Sequence, residues 1–250
     1  MRQFGLIGYP LSHSFSKKYF TEKFEREDIA QANYELYELA TIDEFPALVA
    51  SQPNLVGLNV TIPHKQAVIQ FLDGLDDSAQ KVGAVNVIKF ENGQKIGFNS
   101  DYYGFKQSLL NSQFSINKNT QALVLGSGGA SKAIRAALED LSINYKIVSR
   151  NPEKGNQQQI DYQSISEQFI TNYQLIINTT PLGVHPHTEV CPELPYQTLG
   201  ENHLLFDLVY NPAETLFMKK GTAQGAKTLN GLEMLHLQAE KAWEIWNRAL

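Results

Sequence analysis

Gly126-Ser127-Gly128-Gly129-Ala130-Ser131 follows an apolar run, 121–125, and opens an amphipathic stretch. Gly126 permits a tight turn, and Gly128 lets the backbone approach a pyrophosphate. Ser131 is small enough for helix and strand to pack closely. The helix N-terminus then offers free N–H groups and partial positive charge to phosphates. Because strand, glycines and helix arrive in this order, a dinucleotide site is favoured over a Gly-rich turn with no ligand. The next strand ends at Val148-Ser149-Arg150, about 24 residues after Gly126, where an NAD site carries an acid for the ribose 2′-hydroxyl. This chain has Ser149, Arg150 and, nearby, Lys154 instead. A guanidinium suits a 2′-phosphate by charge and by paired hydrogen bonds, so NADP(H) is the predicted cofactor. The competing reading of Arg150 is a solvated surface side chain.

Three polar clusters stand in the first half. Ser12-His13-Ser14-Phe15-Ser16 sits between a strand and a helix start. Its hydroxyls can receive a carboxylate with help from helix N–H groups, or one of them can simply cap the helix; the residues alone favour neither. In Asn59-Val-Thr61-Ile-Pro63-His64-Lys65, alternation puts Asn59 and Thr61 on one face of a strand end that Pro63 then breaks. Two polar side chains and a lysine therefore converge, unless this is an ordinary strand-to-helix loop. His64 reads as a loop histidine rather than a catalyst. The third cluster is Asn99-Ser100-Asp101, with Asn86 on the strand before it. Taken alone, Asp101 reads as a helix cap.

Hydrophobic periodicity supplies the elements that position these residues. Strands are expected at 3–7, 34–39 and 55–60, and helices at 14–27 and 65–72. Thr41-Ile-Asp-Glu44 reads as a capping box. Strands 85–90 and 95–98 flank Glu91-Asn-Gly-Gln94, a hairpin signal. After a polar linker, 112–120, strands at 121–125, 145–148, 175–178 and 204–207 alternate with helices at 130–141, 214–224 and 232–248. The pattern is α/β. Two domains of roughly 100 to 130 residues are expected.

Composition narrows the function classes. The chain has 250 residues, and its net charge of −5 comes from 21 basic and 26 acidic residues. No basic excess argues for a nucleic-acid groove or an anionic membrane surface. No run approaches the roughly 20 apolar residues of a membrane helix, and the N-terminal apolar run is too short for a signal-peptide core. The single cysteine, Cys191, cannot form an internal disulfide and has no evident base beside it, so it reads as an incidental loop thiol. A cytoplasmic protein without metal is expected.

Together the motifs resemble the shikimate dehydrogenase family, in its order and spacing, from Phe4 to Trp243. They are His13-Ser14-Phe15-Ser16, Asn59-Val-Thr-Ile-Pro-His-Lys65, Gly83-Ala-Val-Asn86, Asn99-Ser-Asp101 and Gly126-Ser-Gly-Gly-Ala130. Asn178-Thr-Thr-Pro-Leu-Gly183, Asp207-Leu-Val-Tyr-Asn-Pro212 and Gly231-Leu-Glu-Met-Leu-His-Leu-Gln238 complete the set. The resemblance implies an N-terminal α/β substrate domain, 1–101, a Rossmann-like NADP domain, 102–230, and a C-terminal helix, 231–250, packing back on the first and completing it. It implies reduction of 3-dehydroshikimate to shikimate with NADPH by a monomer or homodimer. By motif, Ser14 and Ser16 would bind the substrate carboxylate, and Asn59, Thr61, Asn86, Asp101 and Gln238 its ring hydroxyls. Lys65 would be the catalytic lysine, paired with Asp101, with Tyr210 near the substrate. The cofactor would meet Gly126, Ser127, Gly128, Gly129 and Ala130, then Ser149, Arg150, Asn151 and Lys154. Thr179, Thr180, Leu208, Gly231 and Met234 complete its expected surroundings. A hydride reaching a ketone carbon leaves alkoxide charge, which Lys65 can neutralise with a proton while Asp101 holds its ammonium.

The chain departs from the family pattern at Ser100, usually Thr, at Tyr102, usually Gly, at Ser149-Arg150-Asn151, often Asn-Arg-Thr, and at Val184, often Met. The first two bear on ring contacts. Two rival functions remain: a quinate or dual quinate/shikimate dehydrogenase, and a non-catalytic NADP-binding regulatory protein. Paired serines and Arg150 favour the shikimate reading over quinate, and the presence of both Lys65 and Asp101 opposes the regulatory one.

Overall fold

Short apolar runs form two six-stranded sheets, one in each of two compact units. The computed structural model describes residues 1–11 and 14–248. One unit is Met1–Asp101 with the chain from Gln238 onward, and the other is Tyr102–Leu237. The chain re-enters the first unit at Gln238, inside a helix, rather than at Gly231, where the resemblance placed the return.

The first unit holds β1 (Arg2–Gly8), α1 (Phe15–Arg26), β2 (Ala32–Glu38), α2 (Phe45–Ser51), β3 (Leu55–Val60), β4 (Gly74–Leu75), α3 (Asp77–Val82), β5 (Val87–Glu91) and β6 (Gln94–Phe98). Its sheet runs β2-β1-β3-β5-β6-β4. β1 lies parallel to β2 and β3, while β5 is antiparallel to β3 and β6. Asn92 and Gly93, both at positive φ, make the predicted hairpin turn. Thr41 N–H donates to Glu44 Oε1 at 2.9 Å, the backbone half of the predicted capping box.

The helix expected over 65–72 is instead a 3-10 turn, Ala67–Phe71. It is long enough to bury Val68; Leu72 is then extended, and Asp73 N–H donates to Lys95 O. The short helix α3 was not predicted, although its stops were legible. Asp76 accepts from Ser78 and Ala79 N–H, and Gly83 ends the helix in the left-handed region.

The second unit begins within α4 (Ser100–Asn111). It continues with β7 (Gln121–Leu125), α5 (Gly129–Asp140), β8 (Asn144–Val148), β9 (Gln159–Ile160), α6 (Glu167–Ile170), β10 (Leu175–Asn178), β11 (Leu204–Asp207), α7 (Leu216–Thr222) and β12 (Lys227–Leu229). The sheet is wholly parallel, in the order β12-β11-β10-β7-β8-β9. Its order reverses between β7 and β10, the switch point at which doubly wound sheets bind ligands. Both faces are covered: Ala122 and Val124 pack into one core, Leu123 and Leu125 into the other.

The last helix, α8 (Leu232–Asn247), enters the first unit at Gln238. Its Ala239, Ala242, Ile245 and Trp246 share a core with Phe4, Phe20, Phe24 and Tyr34. Lys23 of α1, almost fully buried, donates to Glu240 of α8 at 2.8 Å and to Glu27 at 3.0 Å. The Trp246 indole donates to Ile88 O at 3.0 Å and lies flat on Gly57, where a Cβ would come within 2.2 Å of its Nε1. Gly57→Ala must therefore displace the indole and weaken its hydrogen bond. The expected loss is about 1–3 kcal/mol in urea unfolding, the scale of core overpacking; unchanged stability would show that the indole has room to move.

Candidate active site

In the first unit, β3 lies between β1 and β5 and ends at Asn59 and Val60, and Thr61 N–H continues the ladder to Ile7 O at 2.9 Å. The chain then turns at Pro63. The buried His64 ring nitrogen Nε2 meets Leu39 O at 2.7 Å, fixing the turn, so His64 is structural. The next residue, Lys65, donates from Nζ to Asp101 Oδ2 at 2.6 Å. Asp101 stands in the first turn of α4. The two side chains are 30% and 21% exposed, so the pair is sheltered yet reachable from solvent.

A line of buried polar groups runs beside this pair. The Tyr34 phenol donates to Asn59 Oδ1 at 2.7 Å, and Asn59 Nδ2 donates to Asn86 O at 3.3 Å. Asn86 Nδ2 donates to Ser100 Oγ at 3.0 Å, and Ser100 N–H returns to Asn86 Oδ1 at 2.6 Å. Ser100 Oγ lies 3.3 Å from Gln238 Oε1, tying the start of α4 to α8. Ser16 hydrogen-bonds the Tyr34 phenol, whose acidity burial suppresses. Ser14 takes the N-cap position of α1 without a side-chain cap bond. Its Oγ is buried and has no hydrogen-bond partner among the described residues. Plain capping, the alternative that the sequence left open, is therefore not what Ser14 does. Ser12 and His13 of the same motif lie outside the described residues.

The second unit presents a different chemistry. Gly126 has φ +107°, and a Cβ there would meet Thr179 Oγ1 at 2.8 Å and Thr180 Cγ2 at 3.0 Å. The turn therefore presses against the loop after β10, at the switch point. Ser127, Gly128, Gly129 and Ala130 are exposed at the start of the twelve-residue α5, and nothing lies within 4 Å of a Cβ built on Gly128 or Gly129. Ser131 is fully buried and donates from Oγ to Gly128 O at 2.7 Å. Ser127 and Ser149 hydroxyls meet at 3.2 Å, joining the turn to the end of β8, and Asn151 N–H donates to Ser149 Oγ. Arg150 and Lys154 are exposed, and the Arg150 guanidinium has no hydrogen-bond partner among the described residues. Exposed helix N–H groups, space where side chains would stand and an uncommitted guanidinium fit a pyrophosphate and a 2′-phosphate.

Behind this surface, Asp207 is fully buried at the end of β11. It accepts from Asn178 Nδ2 at 2.9 Å, Val209 N–H at 3.0 Å and Thr215 Oγ1 at 2.6 Å. Burial pushes its carboxyl upward in pKa, against the pull of these donors. Asn178 Oδ1 in turn accepts from Thr180 N–H and Oγ1, which shapes the Thr179–Thr180 turn. Gly231 sits on the Leu208 backbone, where a Cβ would be 2.1 Å from Leu208 O. Met234 and Leu208 pack against the same core, and Tyr210 is partly exposed. Tyr102, expected to bear on ring contacts, instead donates to Asp140 at the end of α5 and lies beneath Lys106.

A family model described as the shikimate dehydrogenase substrate-binding domain matches residues 6–88. A relative in Methanococcus maripaludis named shikimate dehydrogenase (NADP+) is 38% identical, across 97% of this chain and 90% of its own length. Another of that name, in Clostridium beijerinckii, is 39% identical across 98% of this chain and 92% of its own. The chain belongs to the shikimate dehydrogenase family. Among solved structures, the Thermus thermophilus shikimate 5-dehydrogenase in complex with NADP(H) and shikimate superposes with a TM-score of 0.86. It is 28% identical, and the match covers 100% of this chain and 95% of that one.

Within this shikimate dehydrogenase frame, the sequence reading missed three contributors. Tyr34 was read only as a strand residue, and nothing local announced a polar partner two strands away. Ser100 was tied only to ring contacts, and it also joins Asn86 to Gln238. Asp207 was a motif position without a role, and its three donors come from residues 29, 2 and 8 positions away along the chain.

Proposed function

We propose that the chain catalyses the reversible reduction of 3-dehydroshikimate to shikimate with NADPH, with Lys65 as the proton donor. The observation that carries this is the Lys65–Asp101 pair at 2.6 Å beside a row of buried polar side chains, in a chain of this family. Ser14 and Ser16 receive the substrate carboxylate at the start of α1. The partnerless Ser14 hydroxyl, with its oxygen already buried, gains a charged acceptor there rather than exchanging one for water. Asn59, Thr61, Asn86, Asp101 and Gln238 hold the ring hydroxyls.

As the carbonyl oxygen becomes an alkoxide, the Lys65 ammonium gives it a proton, and in the reverse direction the amine takes the proton back. Asp101 fixes the ammonium in place. The residues Gly126–Ala130 and the start of α5 hold the pyrophosphate, and Thr179, Thr180, Leu208, Gly231 and Met234 complete that surface. Ser149, Arg150, Asn151 and Lys154 surround the adenosine 2′-phosphate. When bound, NADPH supplies the hydride.

Ser14→Ala removes a hydrogen bond to a charged group, worth about 1.5–3 kcal/mol. The shikimate KM should rise by roughly one to two orders of magnitude, while the NADP+ KM stays put. An unchanged shikimate KM would take Ser14 out of the site. The reaction itself is tested by giving purified protein 3-dehydroshikimate and NADPH and following both. One shikimate should form for each NADPH consumed. Binding of NADPH without turnover would mean a non-catalytic cofactor-binding protein.

A further inference from the structure

Tyr34 is the one fully buried tyrosine placed between two residues assigned to the substrate. It lies on β2, opposite Phe4 of β1, and β1 separates it from β3. Its ring stacks on Phe20, with centroids 4.7 Å apart and planes 15° apart, which aims the hydroxyl across β1. That hydroxyl reaches Asn59 Oδ1 at 2.7 Å and also bonds Ser16. A neutral phenol has one proton to give, and burial keeps this one protonated at any working pH. With the proton committed to Asn59, the phenol oxygen accepts from Ser16.

The consequence falls on the Asn59 amide. Its oxygen is taken by Tyr34, and one of its two N–H groups is taken by Asn86 O. The amide cannot flip without setting its NH2 against the phenol proton and its oxygen against the Asn86 carbonyl. One N–H remains uncommitted. We propose that Tyr34 is a positioning residue for substrate binding. It locks the Asn59 amide so that a donor faces the ligand and, through the same hydroxyl, holds Ser16 in place at the start of α1. The site thereby recognises an acceptor oxygen at Asn59, which a ring hydroxyl supplies through its lone pairs. The proposal rests on Asn59 belonging to the substrate site, and the test separates the two.

Four proteins are compared: the parent, Tyr34→Phe, Asn59→Ala and the double variant. Each is read by KM for shikimate, KM for NADP+ and kcat. Asn59→Ala tests the site assignment; a shikimate KM equal to the parent's would remove Asn59 from the site. Tyr34→Phe keeps the ring on Phe20 and removes only the hydroxyl. It should raise the shikimate KM about three- to tenfold, the effect of one hydrogen bond, with the NADP+ KM and kcat close to the parent's. In the Asn59→Ala background the same change should raise KM further by at most the smaller part that passes through Ser16. Effects that multiply fully in the double variant, or a Tyr34→Phe KM equal to the parent's while Asn59→Ala raises it, would overturn the proposal. Asn59→Asp provides a reading that leaves Tyr34 intact. It keeps an acceptor for the phenol and loses the donor, so its shikimate KM should rise at least as far as that of Tyr34→Phe. A KM unchanged from the parent's would show that no donor at this position is used.

Discussion

Replacing Lys65 by Ala should lower kcat for shikimate oxidation by about 10²–10⁴-fold, the usual contribution of a positioned acid–base group. KM for shikimate should change little by comparison, because the proton moves in the transition state. The geometry behind this is specific: Pro63 ends the strand, the buried His64 anchors the turn on Leu39, and the Lys65 amine then meets the Asp101 carboxylate at 2.6 Å. Asp101→Asn should lower kcat as well and raise KM, because Asp101 is also assigned to a ring hydroxyl. The double variant should lose less than the product of the two single losses, since the residues act as one unit. Steady-state kinetics on the three variants gives the comparison. Near-normal kcat in Lys65→Ala would return Lys65 to a loop lysine and move the proton donor elsewhere.

The second large effect is expected at Arg150. Its exposed guanidinium makes no hydrogen bond or ion pair within the described residues and only lends its charge to the nearby Tyr162 phenol, so Arg150→Ala should disturb the fold little. A charge-assisted hydrogen bond contributes about 1.5–3 kcal/mol, so the NADP+ KM should rise by roughly one to two orders of magnitude. The NAD+ KM should hardly move, because NAD+ lacks the 2′-phosphate. The informative quantity is the ratio of kcat/KM for the two cofactors, which should fall by the same factor. Equal weakening of both would make Arg150 structural, and no change in either would make it a solvated surface residue.

The two ends of the cofactor argument differed in how far they could be read from sequence. The turn at Gly126–Ser131 was legible because its requirements are local: a positive φ, room for a ligand and a small buried residue at the sixth place. The contact that explains Gly126 was not legible. It comes from Thr179 and Thr180, and it exists because β10 lies beside β7 in a parallel sheet. In the first unit, Lys65 and Asp101 were both named, but the residues alone read Asp101 as a cap. Their pairing across 36 positions depends on how β3 and α4 come together. Ser14 is the opposite case. Sequence left two readings of equal standing, and a buried oxygen with no cap bond removes plain capping, leaving the carboxylate contact as the proposal. The short elements failed for a physical reason: 3-10 turns and two-residue strands such as β4 and β9 carry too few residues to show a period. Tyr34 and Asp207 stayed hidden because buried polar networks are made by tertiary contacts, and no local pattern encodes them.

The most direct test is a matrix of kcat/KM values for the purified protein, with shikimate and quinate each paired with NADP+ and NAD+. Shikimate with NADP+ should exceed the other three combinations by a wide margin, and Lys65→Ala should abolish most of that rate. Comparable or faster turnover of quinate, or of shikimate with NAD+, would contradict the assignment of substrate or cofactor. No turnover in any combination would contradict catalysis itself.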